Sequence, residues 1–407
     1  MKSYNVSFRK LSSKKIKLNS SKSESNRLLI LKALSNNKIK IKNLSKANDT
    51  VLLNNLIKTD SNSVWDIEDA GTSMRFLTSY LSIYKEGVTL TGTPRMKKRP
   101  IKILVDALNE IGSKITYLEN EGYPPIKIEQ KVNQIKNSIA IRGDVSSQYI
   151  SSLLMIAPTL GNGLFIDIKE PFYSKPYVDM TLKLMEKFGI KSTLEKNQIK
   201  INHQKYVSGE YYVESDWSAA SYWYSIVCIN NQIDKLKLLG LRENSFQGDK
   251  IISKIMILFG VKTQYEDDGI LIKKSKSQLE SIELNFKDCP DLAQTIIVIA
   301  AFMKIELKLY GVESLKIKET NRLLAMKSEL KKIGCNFLDM DNHWILKKRK
   351  NKFPKNFILD TYEDHRMAMA FSPLASELNL KVNNPEVVKK SYPNFWKDLL
   401  KVGYEIT

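Results

Sequence analysis

Five times the chain repeats one short pattern: an acidic residue, a few small or hydroxyl-bearing residues, then an unusually apolar run. The copies begin at Asp69, Asp144, Asp216, Asp291 and Asp364, which lie 75, 72, 75 and 73 residues apart. Residues 21–27 form a sixth variant ahead of the apolar run 28–34. A period of this length in 407 residues means about six copies of one supersecondary unit. Polar helix starts that lack bulky side chains expose backbone N–H groups and the positive end of the helix dipole, which suit anions. Six such starts, converging, would suit a substrate rich in phosphate or carboxylate.

A second repeat lies between the first. Residues 101–112, 178–189, 249–260 and 321–334 each read as an amphipathic helix ending in glycine and followed by a strand-like segment. In the first, apolar residues fall at 101, 104, 105, 108 and 111, a helical stripe. Each closing glycine stands where a left-handed residue ends a helix. The runs 152–157 and 296–301 are apolar nearly all round, which signals burial on every side. Segments 88–91, 164–168 and 307–310 read as short strands. Each unit is therefore expected to run strand, buried helix, strand, exposed helix, strand, an α/β or α+β repeat architecture. Neither GxGxxG nor GxxxxGKS occurs, so a nucleotide-binding fold has no motif support.

At 407 residues two domains are the default expectation. The net charge of +20 admits nucleic acid, anionic membrane or small anions as partners. The basic residues are scattered, which favours a solvated lysine-rich surface for most of them. Three cysteines, widely spaced and without a CxxC pair, argue against a disulfide framework or zinc site and fit a reducing compartment. The three histidines lie too far apart to suggest a metal motif. No secretory signal is visible and no apolar stretch approaches spanning length, so a cytoplasmic location is expected.

Several cations adjoin the repeated helix starts. Lys22 and Arg27 flank the first, Arg95 and Arg99 follow the second, and Lys318, Arg322, Arg366, Lys389 and Lys390 accompany the last two. Arginine's rigid fork matches phosphate and carboxylate oxygens two at a time. In order, residues 21–27, 70–75, 92–100, 146–148, 174–177, 246–249, 290–291, 318–322 and 364–369 resemble the 5-enolpyruvylshikimate-3-phosphate (EPSP) synthase family over nearly the whole chain.

The resemblance implies transfer of the enolpyruvyl group of phosphoenolpyruvate to the 5-hydroxyl of shikimate 3-phosphate, with release of phosphate. It implies two lobes of three βαβαββ units each, closing on the substrates, with residues 20–213 in the first lobe and 1–19 plus 214–407 in the second. By resemblance Asp291 accepts the proton of the 5-hydroxyl, Glu319 transfers protons, and Lys22 contacts both substrates. Asp291 is also expected to cap the helix that follows it. Shikimate 3-phosphate would meet Lys22, Ser23, Arg27, Ser146, Ser147, Gln148, Ser174, Tyr177, Asp291, Ser314 and Lys318. Phosphoenolpyruvate would meet Lys22, Gly71, Arg95, Gln148, Arg322, Arg366 and Lys390. His365 is expected to orient its loop. No cofactor or metal is implied, and the family is commonly monomeric.

Three features depart from the family pattern. Asp69 replaces the usual Asn, Asn19-Ser20 replaces Pro-Gly, and Ser314 replaces an Asn. The Asp69 charge is expected to be offset by Arg75 or Lys22. Two rival readings are the sister UDP-N-acetylglucosamine enolpyruvyl transferases and a basic nucleic-acid-binding repeat protein. The first usually carries a first-lobe cysteine, yet no cysteine precedes Cys228 here. The second needs exposed aromatics, whereas Trp217, Trp223 and Tyr224 sit in an apolar helical run, where core packing is the expected use.

Overall fold

Apolar runs behind polar starts become buried helices because only burial on all sides removes so much hydrocarbon from water. The computed structural model describes residues 2–58 and 63–407. The chain divides into two units, Lys22–Val213 and the pair Met1–Ser21 with Glu214–Thr407.

The unit Lys22–Val213 contains helices α1 (Lys22–Leu34), α2 (Asn48–Lys58), α3 (Gly71–Tyr84), α4 (Lys102–Glu110), α5 (Ser147–Ile156) and α6 (Lys175–Lys187). Helix α3 packs against α5, and α1 and α6 complete the group. Where α3 meets α5, Ser79 Oγ donates to Ser152 Oγ at 2.9 Å, so the small residues of these helices let the backbones approach. Leu153, Leu154, Met155 and Ile156 are buried. Each such side chain contributes roughly 1.5–3 kcal/mol of burial free energy. Helix α4 buries the expected stripe, Leu104, Val105 and Leu108.

Two four-stranded sheets of this unit share one topology. Val64–Asp66 runs parallel to Val88–Thr91, which is antiparallel to Ile126–Gln130, itself antiparallel to Lys114–Tyr117. Ser138–Arg142, Leu164–Lys169, Gln198–Ile201 and Thr193–Glu195 repeat that order. Helices α4 and α6 are thus each followed by a hairpin, two strands where the hydrophobic pattern indicated one. The extra strand left no signal because it is short and wet: Thr193–Glu195 is exposed at every residue.

The other unit holds α7 (Trp217–Ile229), α8 (Ile252–Leu258), α9 (Ala293–Met303), α10 (Arg322–Lys332), α11 (His365–Phe371) and α12 (Phe395–Lys401). Helices α7, α9 and α11 pack together in its core. Trp217, Trp223 and Tyr224 are wholly buried there, as the core-packing reading requires. Its sheets repeat the same order: Ser281–Asn285, Glu306–Tyr310, Trp344–Leu346, Phe337–Asp339 is one. Lys15–Lys17, Lys235–Leu239, Gly269–Lys274, Val261–Glu266 is another.

The first and last residues of the chain close the third sheet of this unit. Ser3–Phe8 lies between Asn379–Asn383 and Tyr404–Ile406, with Asn356–Leu359 parallel to Asn379–Asn383 at the edge. Two leading strands are exchanged between repeats. Gly209–Tyr212 runs on toward α7 yet pairs with Ile39–Lys42, while Lys15–Lys17 precedes α1 yet pairs with Lys235–Leu239. Among the described residues there are three sheets in each unit, matching the count of about six repeats.

Candidate active site

Each unit carries its own cluster of the residues singled out from the sequence. In the Lys22–Val213 unit, α1 begins with Lys22, whose Nζ lies 2.9 Å from Asp49 Oδ2 in a largely enclosed ion pair. Five residues on, Arg27 is buried: Nε donates to Thr181 Oγ1 at 2.7 Å, and its Nη atoms donate to Ser23 O, Ser151 Oγ and Tyr177 O. Burial pushes its pKa down, to about 10. Arg27 therefore fastens α1 to α5 and to the first turn of α6, the turn that carries Tyr177.

Ser146 caps α5, its side chain accepting from Gln148 N at 3.3 Å. The acid expected to start this helix, Asp144, instead takes the guanidinium of Arg142. Gln148 Nε2 donates to Thr72 Oγ1 at 3.0 Å, which ties the start of α5 to the start of α3. Ser174 starts α6 in the left-handed region, at φ 56°.

At the start of α3, Ala70 offers no side-chain cap. Arg75 donates to Gly71 O at 2.9 Å and to Pro100 O at 3.1 Å, so it holds the loop 92–100 against the first turn. Arg95 stands in this loop, at the head of the short turn Met96–Lys98. The departure at Asp69 is taken up by Thr93, whose hydroxyl donates to Asp69 Oδ1.

In the other unit, three acids meet two buried arginines. Arg322 Nε lies 2.7 Å from Asp364 Oδ2, Nη1 3.1 Å from Asp291 Oδ1, and Nη2 2.8 Å from Glu319 Oε2. Arg366 Nη2 lies 2.7 Å from Asp291 Oδ2, and its Nη1 donates to Asp291 O and to the Tyr222 hydroxyl. Asp364 also caps α11 by accepting from Arg366 N at 2.8 Å. Glu319 and Arg322 stand three residues apart, and because Arg322 is 2% exposed their contact is made inside the protein. His365 is buried, with Nδ1 3.7 Å from Asp364 Oδ1. Ser314 is buried in the turn Glu313–Ile317, one residue before Lys318, and Lys390 ends the turn Pro385–Lys390 that packs on α11.

The electrostatics follow from this packing. Burial pushes the Asp291 carboxyl up, but Arg366, Lys318 and Arg322 outweigh it and hold Asp291 well below the usual carboxylate range. Burial opposes the Arg322 charge, and Asp364, Glu319 and Asp291 reverse that and raise its pKa. Asp291 lies in the turn Pro290–Leu292, ahead of α9, with both carboxylate oxygens on arginines. Asp291 stands one residue before Leu292, which precedes the first residue of α9.

Sequence reasoning passed over several members of these clusters. Asp49 reaches Lys22 from another helix, 27 residues away, a distance with no periodic signal. Tyr222 is buried in α7 beside Trp223, and its hydroxyl accepts from Arg366. Asp249 is buried against Ser218, and burial followed by the Asp291 charge pushes its pKa up to about 7.

A repeat-built α/β protein with arginine–carboxylate clusters at its polar helix starts is the class that these features define. The family model described as EPSP synthase (3-phosphoshikimate 1-carboxyvinyltransferase) matches residues 52–399. The chain belongs to the EPSP synthase family. It is 45% identical over 395 residues to the 3-phosphoshikimate 1-carboxyvinyltransferase of Bacteroides fragilis, covering 96% of this chain and 95% of that one. It is 35% identical to the protein of that name from a Sulfurovum species, over 95% of this chain and 96% of the other. The solved EPSP synthase of Acinetobacter baumannii shares the fold, with a TM-score of 0.78 at 20% identity over the full length of both chains. Neither the sister transferases nor a nucleic-acid-binding protein is favoured by these matches.

Proposed function

We propose that this chain joins the enolpyruvyl group of phosphoenolpyruvate to the 5-hydroxyl of shikimate 3-phosphate and releases inorganic phosphate. The observation that carries the reading is Asp291, an ionised carboxylate gripped by Arg322 and Arg366 in the positions that match the family's proton acceptor and donor-binding arginines. In the reaction a proton adds to the methylene carbon of phosphoenolpyruvate while the 5-oxygen bonds to the neighbouring carbon. A proton then leaves the new methyl group as phosphate departs, and the double bond is restored.

Three cations give Asp291 a low proton affinity, so it is a weak base on its own. Binding the carboxylate and phosphate of phosphoenolpyruvate to Arg322, Arg366 and Lys390 would spread that positive charge over new oxyanions. The hold on Asp291 would relax, its proton affinity would rise, and it would become a competent base once both substrates are bound. Glu319, oriented by Arg322, is placed in the second proton-transfer role, and Lys22, oriented by Asp49, in the shared one. Ser23, Arg27, Ser146, Ser147, Gln148, Ser174, Tyr177, Ser314 and Lys318 are assigned to shikimate 3-phosphate. Gly71, Arg95 and Gln148 join the donor set.

The reading includes a monomer and a cytoplasmic location, the location supported by three buried free cysteines. A coupled phosphate assay tests the activity. Phosphate is expected only when both substrates are present, and no turnover with the pair overturns the reading.

A further inference from the structure

Gly71 opens α3 beside an arginine to which the resemblance gives no role. The space where a Cβ on Gly71 would stand is filled by the Arg99 guanidinium, with Cζ 2.7 Å from that point. Arg99 is half-buried, and its Nε is enclosed without a hydrogen-bond partner. Among the described residues no carboxylate or carbonyl pairs with its side chain, although Lys97, two residues earlier, is paired with Glu119 at 2.5 Å. The nearby acid, Asp69, accepts from the Thr93 hydroxyl. Arg75 ties the two segments together by donating to Gly71 O and to the O of Pro100, the residue after Arg99.

This placement is electrostatically inverted. The fourteen-residue α3 presents its positive end and N–H groups that Ala70 does not cap, and a guanidinium lies against Gly71, its first residue. A cation is favoured at the other end of a helix. An oxyanion between the guanidinium and the first N–H groups would reverse the repulsion and give Arg99 the partner it lacks.

We propose that Arg99 is a phosphate-binding residue for phosphoenolpyruvate, acting together with the backbone N–H groups of Gly71 and Thr72. The proposal rests on the activity proposed above and extends the donor set beyond the residues the family resemblance supplies. It also gives Gly71 a second purpose: a side chain there would evict the guanidinium.

The test compares Arg99→Met and Arg99→Lys with the parent chain in steady-state kinetics, with inorganic phosphate as product inhibitor. In Arg99→Met the KM for phosphoenolpyruvate and the inhibition constant for phosphate should both rise ~10- to 100-fold, the range expected for losing a hydrogen bond to a charged group. The KM for shikimate 3-phosphate should stay unchanged, and Arg99→Lys, which keeps the charge but not the fork, should fall between. Unchanged phosphoenolpyruvate KM in either variant overturns the inference, as does equal loss toward both substrates, which marks a structural role. A raised KM with unchanged phosphate inhibition would assign Arg99 to the carboxylate and overturn the phosphate assignment. Should Arg99→Met fail to fold, Arg99→Lys carries the same comparison. If the parent chain does not turn over the substrate pair, the underlying activity fails instead. Thermal-shift titration with inorganic phosphate then tests Arg99 alone, with equal shifts in parent and Arg99→Lys overturning it.

Discussion

At the scale of single residues the balance between burial and neighbouring charge sets what each acid can do. Asp291 and Asp249 are both enclosed acids, yet three cations hold one down and burial beside an anion pushes the other up. Replacing Asp291 with Asn keeps the shape and removes the base. Turnover should fall ~100- to 10,000-fold, the range general base catalysis spans, with the circular dichroism spectrum retained. Near-normal kcat would leave Asp291 as a structural anchor for two arginines. Asp249 should show itself in pH dependence. Its folded pKa of about 7 exceeds the ordinary aspartate value of 3.8. The fold therefore favours the protonated form, and the associated stability is present at acid pH and lost as pH rises toward 7. Asp249→Asn, which mimics that form, should gain in melting temperature relative to the parent between pH 5 and pH 8. A constant difference across that range would mean Asp249 does not titrate there.

At the scale of elements the repeated glycines are separable tests of helix ending. Gly334 follows α10 at φ 76° with open space where a Cβ would point, whereas Gly112 follows α4 at φ 113° and its Cβ would meet the backbone carbonyl of Asn133. Gly334→Ala should cost only the left-handed penalty, about 1 kcal/mol. Gly112→Ala should cost several times more, because backbone cannot step aside. Urea unfolding followed by tryptophan fluorescence distinguishes them, and equal costs would contradict the steric part of the account. These ends were legible in advance: four periodic helices closing on glycine were placed within a few residues of where they lie. The hairpins after them were not, since strands such as Thr193–Glu195 are too short and too exposed to alternate.

At the scale of the whole molecule the exchanged strands decide which pieces can stand alone. Lys22–Val213 is continuous and contains both partners of its two-stranded sheet, Ile39–Lys42 and Gly209–Tyr212. A fragment of residues 22–213 should unfold cooperatively by itself. The other unit draws Ser3–Phe8 and Lys15–Lys17 from the first residues of the chain, and Ser3–Phe8 is paired on both sides. A chain lacking residues 1–19 should therefore lose protection in its 214–407 region, read by limited proteolysis. Resistance equal to the parent would show those strands to be dispensable.

By itself, the order of residues determined the repeat count, the buried and exposed helices, and the list of charged groups near helix starts. Periodicity and local capping chemistry act over a few residues, so they survive in one dimension. Tertiary structure alone decided the pairings: Lys22 with Asp49, Arg322 with three acids, Arg99 over Gly71. Glu319 and Arg322 apart, those contacts join residues tens of positions away, and in the apolar interior their electrostatic strength depends on distance and burial, quantities that exist only once the chain has folded.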